Sequence, residues 1–230
     1  MKLRVSELFE SVQGEGEWLG VPSVFLRLSG CNLRCTWCDT PYASWHPEGP
    51  VVHLDELKRQ IAQFSPRHLV LTGGEPMIFE PIIPLTEWLK AEGYTITIET
   101  AGTAYLAPKC DLMSISPKLS HSDPEDPAWR ERHILTRQDL SALKWLMSEY
   151  RFQLKFVVRG EFAEADLAEI DALLGELPPC RPEQVFLMPE GTDRDTLRAS
   201  LLQLMPHVME RGFRLAPRLH IDLFGNTKGT

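Results

Sequence analysis

Strand-like segments alternate with segments of helical period along most of this chain, and that alternation limits the fold more than any other feature. Residues 24–29 (VFLRLS) read as a strand, and Leu54, Leu57, Ile61 and Phe64 then recur at helical spacing. Residues 69–72 form a second strand ending on Gly73 and Gly74, and Leu85, Trp88 and Leu89 mark a helix closed by Gly93. The pattern continues through strands at 94–100, 112–116, 152–158 and 185–188 and helices at 140–150, 163–174 and 195–211. Strands joined through helices imply right-handed crossovers around a parallel sheet, so the expected class is α/β. With 230 residues the chain falls short of eight full strand–helix units, which predicts a partial, open (β/α) barrel.

The unusual residues gather just after the strands, in GCNLRC, TGGEP, ETAG, SISPK and MPEG. In parallel α/β folds that edge binds ligands. Residues 41–50 and 120–130 are rich in Pro, Ser, His and acids and read as surface loops. The formal net charge of -8 argues against binding a nucleic-acid backbone. No apolar run is long enough for a secretion signal or a membrane span, so a cytoplasmic location is the expectation.

Three of the five cysteines, Cys31, Cys35 and Cys38, fall within eight residues. A disulfide scaffold fits poorly with an odd count in a chain of this size. Three converging thiolates can hold an iron–sulfur cluster with one iron left open, whereas a closed structural zinc site wants four ligands. A zinc site completed by His46 or His53 is the alternative, and with it a non-catalytic interaction module. Cys110 and Cys180 read as packed thiols.

The C-x3-C-x2-C loop with an aromatic before its last cysteine, followed by Thr72-Gly73-Gly74-Glu75-Pro76, resembles the radical S-adenosylmethionine (SAM) superfamily. Ser11 to Gly16 (SVQGEG), Arg27, Cys38-Asp39-Thr40, Glu99 to Gly102, Ser116-Pro117-Lys118 and the tail from Leu219 through Asn226 narrow the likeness to the 7-carboxy-7-deazaguanine synthases of queuosine biosynthesis. It runs from about Val5 to the C-terminus and is weakest over residues 120–181.

The resemblance implies one radical SAM domain over residues 1–230, with an N-terminal substrate-binding extension and a C-terminal tail closing the site. Cys31, Cys35 and Cys38 would bind a [4Fe-4S] cluster, with Trp37, Cys38, Asp39, Gly74, Glu75, Ser116, Pro117 and Lys118 around SAM. Val12, Gln13, Gly14, Arg27 and Thr72 would contact a pterin, and Thr40 would be a magnesium ligand. Glu15 could pair with the guanidine-like edge of the pterin or simply belong to a two-glycine turn. His220 could reach the substrate or pack within a strand. Alternation places Arg27 opposite Leu26 and Leu28, so it can face a barrel interior, where an arginine fork suits a carboxylate. No catalytic side chain is expected beyond the cofactor-held radical.

The expected reaction is ring contraction of 6-carboxy-5,6,7,8-tetrahydropterin with loss of ammonia. A homodimer and an electron donor such as flavodoxin are further implications. An activase that installs a glycyl radical on a partner enzyme shares the cysteine loop and GGEP and is the rival within the superfamily. It has no expected need for QGEG, Arg27 or the tail.

Overall fold

The computed structural model describes residues 1–230. An antiparallel hairpin opens the chain: β1 (Lys2–Val12) pairs with β2 (Pro22–Leu28). The short α1 (Pro41–Ser44) follows the cysteine loop, then β3 (Val51–His53) and α2 (Leu54–Ile61). Then come β4 (His68–Gly73), α3 (Ile82–Ala91), β5 (Thr95–Thr100), β6 (Leu112–Ile115), α4 (Pro127–Thr136), α5 (Leu140–Glu149), β7 (Phe152–Val158) and α6 (Ala163–Glu176), with no helix between β5 and β6 and two between β6 and β7. The chain ends through β8 (Val185–Pro189), α7 (Arg194–Arg211), β9 (Arg214–Leu215) and α8 (Leu219–Phe224).

All nine strands form one sheet in the order β3-β1-β2-β4-β5-β6-β7-β8-β9. From β2 to β9 every neighbouring pair is parallel, and only the first hairpin and β3 run antiparallel. The sheet is not closed, as expected of an open barrel.

Alternation along the strands explains what each face does. Leu26, Leu28, Leu69, Leu71, Ile96, Ile98, Leu154, Phe156 and Leu187 are buried in one core with Leu85, Leu89, Leu143, Leu146 and Ile170 from the covering helices. Burying each such side chain favours folding by about 1.5–3 kcal/mol. The intervening residues face the other way and mix apolar side chains such as Val70, Val157 and Phe186 with polar ones. Ser23 Oγ, His68 and Thr97 Oγ1 form a chain of hydrogen bonds at 2.8 and 2.9 Å, and Gln153 Nε2 donates to Ser114 Oγ at 2.8 Å. The loop between β1 and β2 lies against this inner face, with Trp18 edge-on to the His68 ring and the Glu17 N–H donating to Gln153.

Two loop readings need correction. Residues 41–50 contain α1, and residues 120–130 run through a 3₁₀ turn at Ser120–Ser122 into α4. Asp126 caps α4 by accepting from the Ala128 N–H at 2.9 Å, with Pro127 in its first turn. His220 is on a helix, α8, and not on a strand. Cys110 and Cys180 pack against the main core, as small thiols do.

Candidate active site

A cleft of about 270 Å³ opens at the C-terminal edge of the parallel strands. The cysteine loop supplies Cys31, Cys35, Trp37, Cys38, Asp39 and Thr40 to its wall. Gly73 and Gly74 end β4 there, and Glu99, Ser116, Lys118, Lys155 and Met188 come from or follow the next four strands. Gln13, Gly14 and Glu15 reach in from the first hairpin, and Arg218, His220 and Asn226 from the tail. Arg27 and Thr72 are direct register partners on β2 and β4 and share the cleft-facing side.

All five cysteines are free. The Leu33 N–H donates to Cys31 Sγ at 3.4 Å, and Cys38 Sγ lies 3.1 Å from Ser44 Oγ. Burial pushes the Cys31 thiol up to about 12 and Cys35 to about 11, so neither is built as a free thiolate nucleophile. Hydrogen bonds at sulfur in a half-buried pocket are instead the surroundings that tune an iron–sulfur centre. No three His, Cys, Asp or Glu groups converge as a single metal ion would require. His46 and His53 do not line the cleft, so the zinc alternative has no fourth ligand there. Three cysteines spread over a wider site fit a cluster.

The surroundings also fit a polar organic cofactor beside that cluster. Trp37 Nε1 is buried without a hydrogen-bond partner, and its ring lies 5.6 Å from that of His121, whose nitrogens face Asp166 at 4.0 Å and Glu190 at 3.7 Å. Buried polar atoms without partners are uncommon. Lys118 Nζ donates to Ser116 Oγ at 2.9 Å and lies 5.4 Å from the Trp37 ring centre. Arg137 and Gln138 hold the Lys118 carbonyl at 2.9 and 3.1 Å.

Three of the expected residues are not cleft residues. Val12 pairs with Pro22 at the end of the hairpin, Pro117 is buried behind Ser116, and Glu75 is fully buried. The Glu75 carboxylate accepts from the Met77 N–H at 3.0 Å, Thr100 Oγ1 at 2.7 Å and the Ala101 N–H at 2.7 Å. It ties β4 to β5, with both oxygens already engaged by the protein. The glycines before it also serve packing. A Cβ on Gly74 would sit 2.1 Å from the Gly30 carbonyl oxygen and 3.0 Å from Cys31 Cβ. Gly73 has φ +140°, with Leu28 O 2.2 Å from the corresponding position. Their close approach is to the cysteine loop and β2.

Sequence reading misses the charges that organise the cleft. Lys155 Nζ donates to Glu15 Oε2 and lies 3.8 Å from Glu99. Arg218 Nε donates to the other Glu15 oxygen at 3.0 Å, its Nη2 to Asp39 and its Nη1 to the Gly191 carbonyl at 2.7 Å. Burial by itself would push Glu15 up, but Lys155, Arg218 and His220 outweigh it and hold the carboxyl below its ordinary range. Asp39 is likewise lowered, with Arg218 overcoming burial. Glu7 forms a second centre, accepting from Arg27 Nε at 2.6 Å, the Tyr42 hydroxyl at 2.8 Å and the Gly229 N–H at 3.0 Å. Through it the last residues are fastened beside Arg27. A single charged residue in the otherwise uncharged run of β7 is the one readable signal for Lys155; Arg218 and Glu7 carry none.

Comparison with known proteins agrees with this geometry. Residues 26–121 match the family model for the radical SAM superfamily. A 7-carboxy-7-deazaguanine synthase of Rhodopirellula baltica is 43% identical over 99% of this chain and 89% of its own length. One from Halobacterium salinarum is 40% identical over 99% of this chain and 93% of its own. A crystal structure of QueE from Escherichia coli superposes with a TM-score of 0.70 at 26% identity, covering 96% of this chain and 95% of that one.

Proposed function

Because the chain belongs to the 7-carboxy-7-deazaguanine synthase family of radical SAM enzymes, we propose that its cleft contracts the ring of 6-carboxy-5,6,7,8-tetrahydropterin to 7-carboxy-7-deazaguanine, releasing ammonia. The observation that carries this reading is the meeting, in one cleft, of the three cysteines with Arg27, Gln13 and Glu15. A [4Fe-4S] cluster with SAM supplies one-electron cleavage of a carbon–sulfur bond and the radical that follows.

The protein's own part is holding and shielding. Cys31, Cys35 and Cys38 hold the cluster, while Trp37, Asp39, Gly74, Ser116 and Lys118 line the SAM end. Glu75 and Pro117 act from behind by fixing the backbone. At the other end Arg27 takes the pterin carboxylate, its fork oriented by Glu7. Gln13, Gly14 and Thr72 contact the ring, Glu15 accepts from its guanidine-like edge, and Val12 sets the end of the hairpin that carries them. The chain acts as one domain, with the hairpin loop as substrate arm and residues 218–230 as the closing tail.

Magnesium fits Thr40, whose side chain makes no capping bond at the start of α1. With one protein oxygen, most ligands of such a hard cation would be substrate and water. A second copy of the chain suits the exposed Leu202, Met205 and Met209 on one stripe of α7. No helix is long and apolar enough to cross a membrane, and we place the enzyme in the cytoplasm with a flavodoxin-type electron donor.

The test is anaerobic turnover of the reconstituted protein with SAM, dithionite, magnesium and the pterin, followed by mass spectrometry. Joint appearance of 7-carboxy-7-deazaguanine and 5′-deoxyadenosine is expected. Cleavage of SAM with the pterin intact would overturn the substrate assignment.

A further inference from the structure

The two ends of the cleft share one side chain. Asp39 lies beside the cysteine loop at the SAM end, and Glu15 lies on the arm at the pterin end. Arg218, buried in the loop ahead of α8, donates to both carboxylates and to the Gly191 carbonyl. Its own side chain is only 8% exposed. A guanidinium is planar and rigid, so its acceptors are held in fixed positions relative to one another. If Glu15 swings toward a ligand, it must release or rotate this fork, and Asp39 must then move or lose a partner.

Arg27 and His220 also face this cluster from the cleft wall, but neither bonds to Glu15 or Asp39. Lys155 already occupies the second Glu15 oxygen, and Glu99 adds another acid 3.8 Å from Lys155. The network has two cations, Lys155 and Arg218, facing three carboxylates, Glu15, Asp39 and Glu99. A concerted rearrangement keeps each group paired, whereas an unpaired buried charge costs several kcal/mol. Gly14 adds a steric link, because the Leu219 N–H donates to its carbonyl at 2.9 Å and a Cβ there would lie 2.0 Å from His220 Nδ1. Arm and tail are therefore packed directly against each other.

Resting on the functional reading above, we infer that Arg218 is a positioning residue that couples the two ends, so that pterin on the Glu15 arm strengthens SAM binding at Asp39 and the reverse.

The test is calorimetric binding of SAM to the cluster-loaded protein without reductant, with and without the pterin. In the wild type, the pterin is expected to tighten SAM binding about 5-fold or more, within the range of ordinary allosteric coupling. Arg218→Lys keeps the charge but replaces the rigid planar fork with a single ammonium on a flexible stem, which does not hold Glu15 and Asp39 in fixed relation, and the ratio is expected to fall to about one. Unchanged iron and sulfide content identifies a folded variant, and Arg218→Gln provides a second substitution if the lysine form loses its cluster. A wild type that binds both ligands independently overturns the coupling alone, and so does an Arg218→Lys protein that retains the wild-type ratio. A wild type that binds SAM but no pterin overturns the substrate reading and the coupling with it.

Discussion

Replacing Glu75 with glutamine separates a structural carboxylate from a ligand-binding one. Glu75 has no exposed surface, and its oxygens accept from Met77, Thr100 and Ala101. Thr100 Oγ1 in turn accepts from the Gly102 N–H at 3.0 Å, so the relay has a fixed direction, with every donor pointing at the carboxylate. A glutamine oxygen can replace Oε1 and still satisfy Met77 and Thr100. Its amide group then faces the Ala101 N–H, donor against donor. The loss is one charge-assisted hydrogen bond plus one buried unsatisfied N–H, each about 1–3 kcal/mol. Burial pushes the Glu75 carboxyl up, so removing its charge returns part of that sum. The net destabilisation is about 3 kcal/mol, which for a chain of this length lowers Tm by about 6–12 °C. The assay is thermal unfolding of the cluster-free protein at pH 7, followed by circular dichroism without ligand. A Tm within about 2 °C of wild type would refute the argument, because a carboxylate kept for a ligand leaves the empty protein unchanged.

Gly74→Ala is expected to push Gly30 and Cys31 outward and lower iron incorporation on reconstitution, while Gly93→Ala, strained but in open space, leaves iron content unchanged; equal iron content in all three proteins would oppose this. Burial lowers His68 from 6.5 to about 4, so the unfolded chain binds a proton that the folded one refuses between those values. Stability is then full above about pH 6.5 and falls by up to about 3 kcal/mol as pH drops toward 4, and urea titrations at pH 7 and 5 should show the loss shrinking in His68→Asn. Glu7→Gln weakens the fastening of Arg27, Tyr42 and Gly229 together; KM for the pterin should rise about 10-fold, equivalent to about 1.4 kcal/mol, and carboxypeptidase should trim the tail faster, whereas an unchanged pair of readings would remove Glu7 from the site.

What the sequence reveals divides along physical lines. Strands flanked by core on one face and a mixed apolar and polar layer on the other announce themselves as short apolar runs, and β7 occupies the expected residues 152–158. β1 does not, because its register shifts between Val5 and Glu7 and breaks the period-two pattern that would mark an 11-residue strand. α4 begins in a stretch whose prolines and acids suggest a loop, although Asp126-Pro127 is also a helix start. The site shows the same division. The cysteine loop is local and the facing of Arg27 follows from alternation, so sequence pattern reaches both, whereas Thr72, its register partner, is supplied by the resemblance alone. Lys155 meets Glu15 across 140 positions and Arg218 meets it across 203, distances over which no periodicity carries information. What remains readable is the demand each such residue makes. A lysine inside an otherwise uncharged strand must find a carboxylate or lose its charge, so Lys155 predicts an acidic partner on the inner face. Only the crossover topology, which brings the hairpin loop under the ends of β5 and β7, decides that the partner is Glu15.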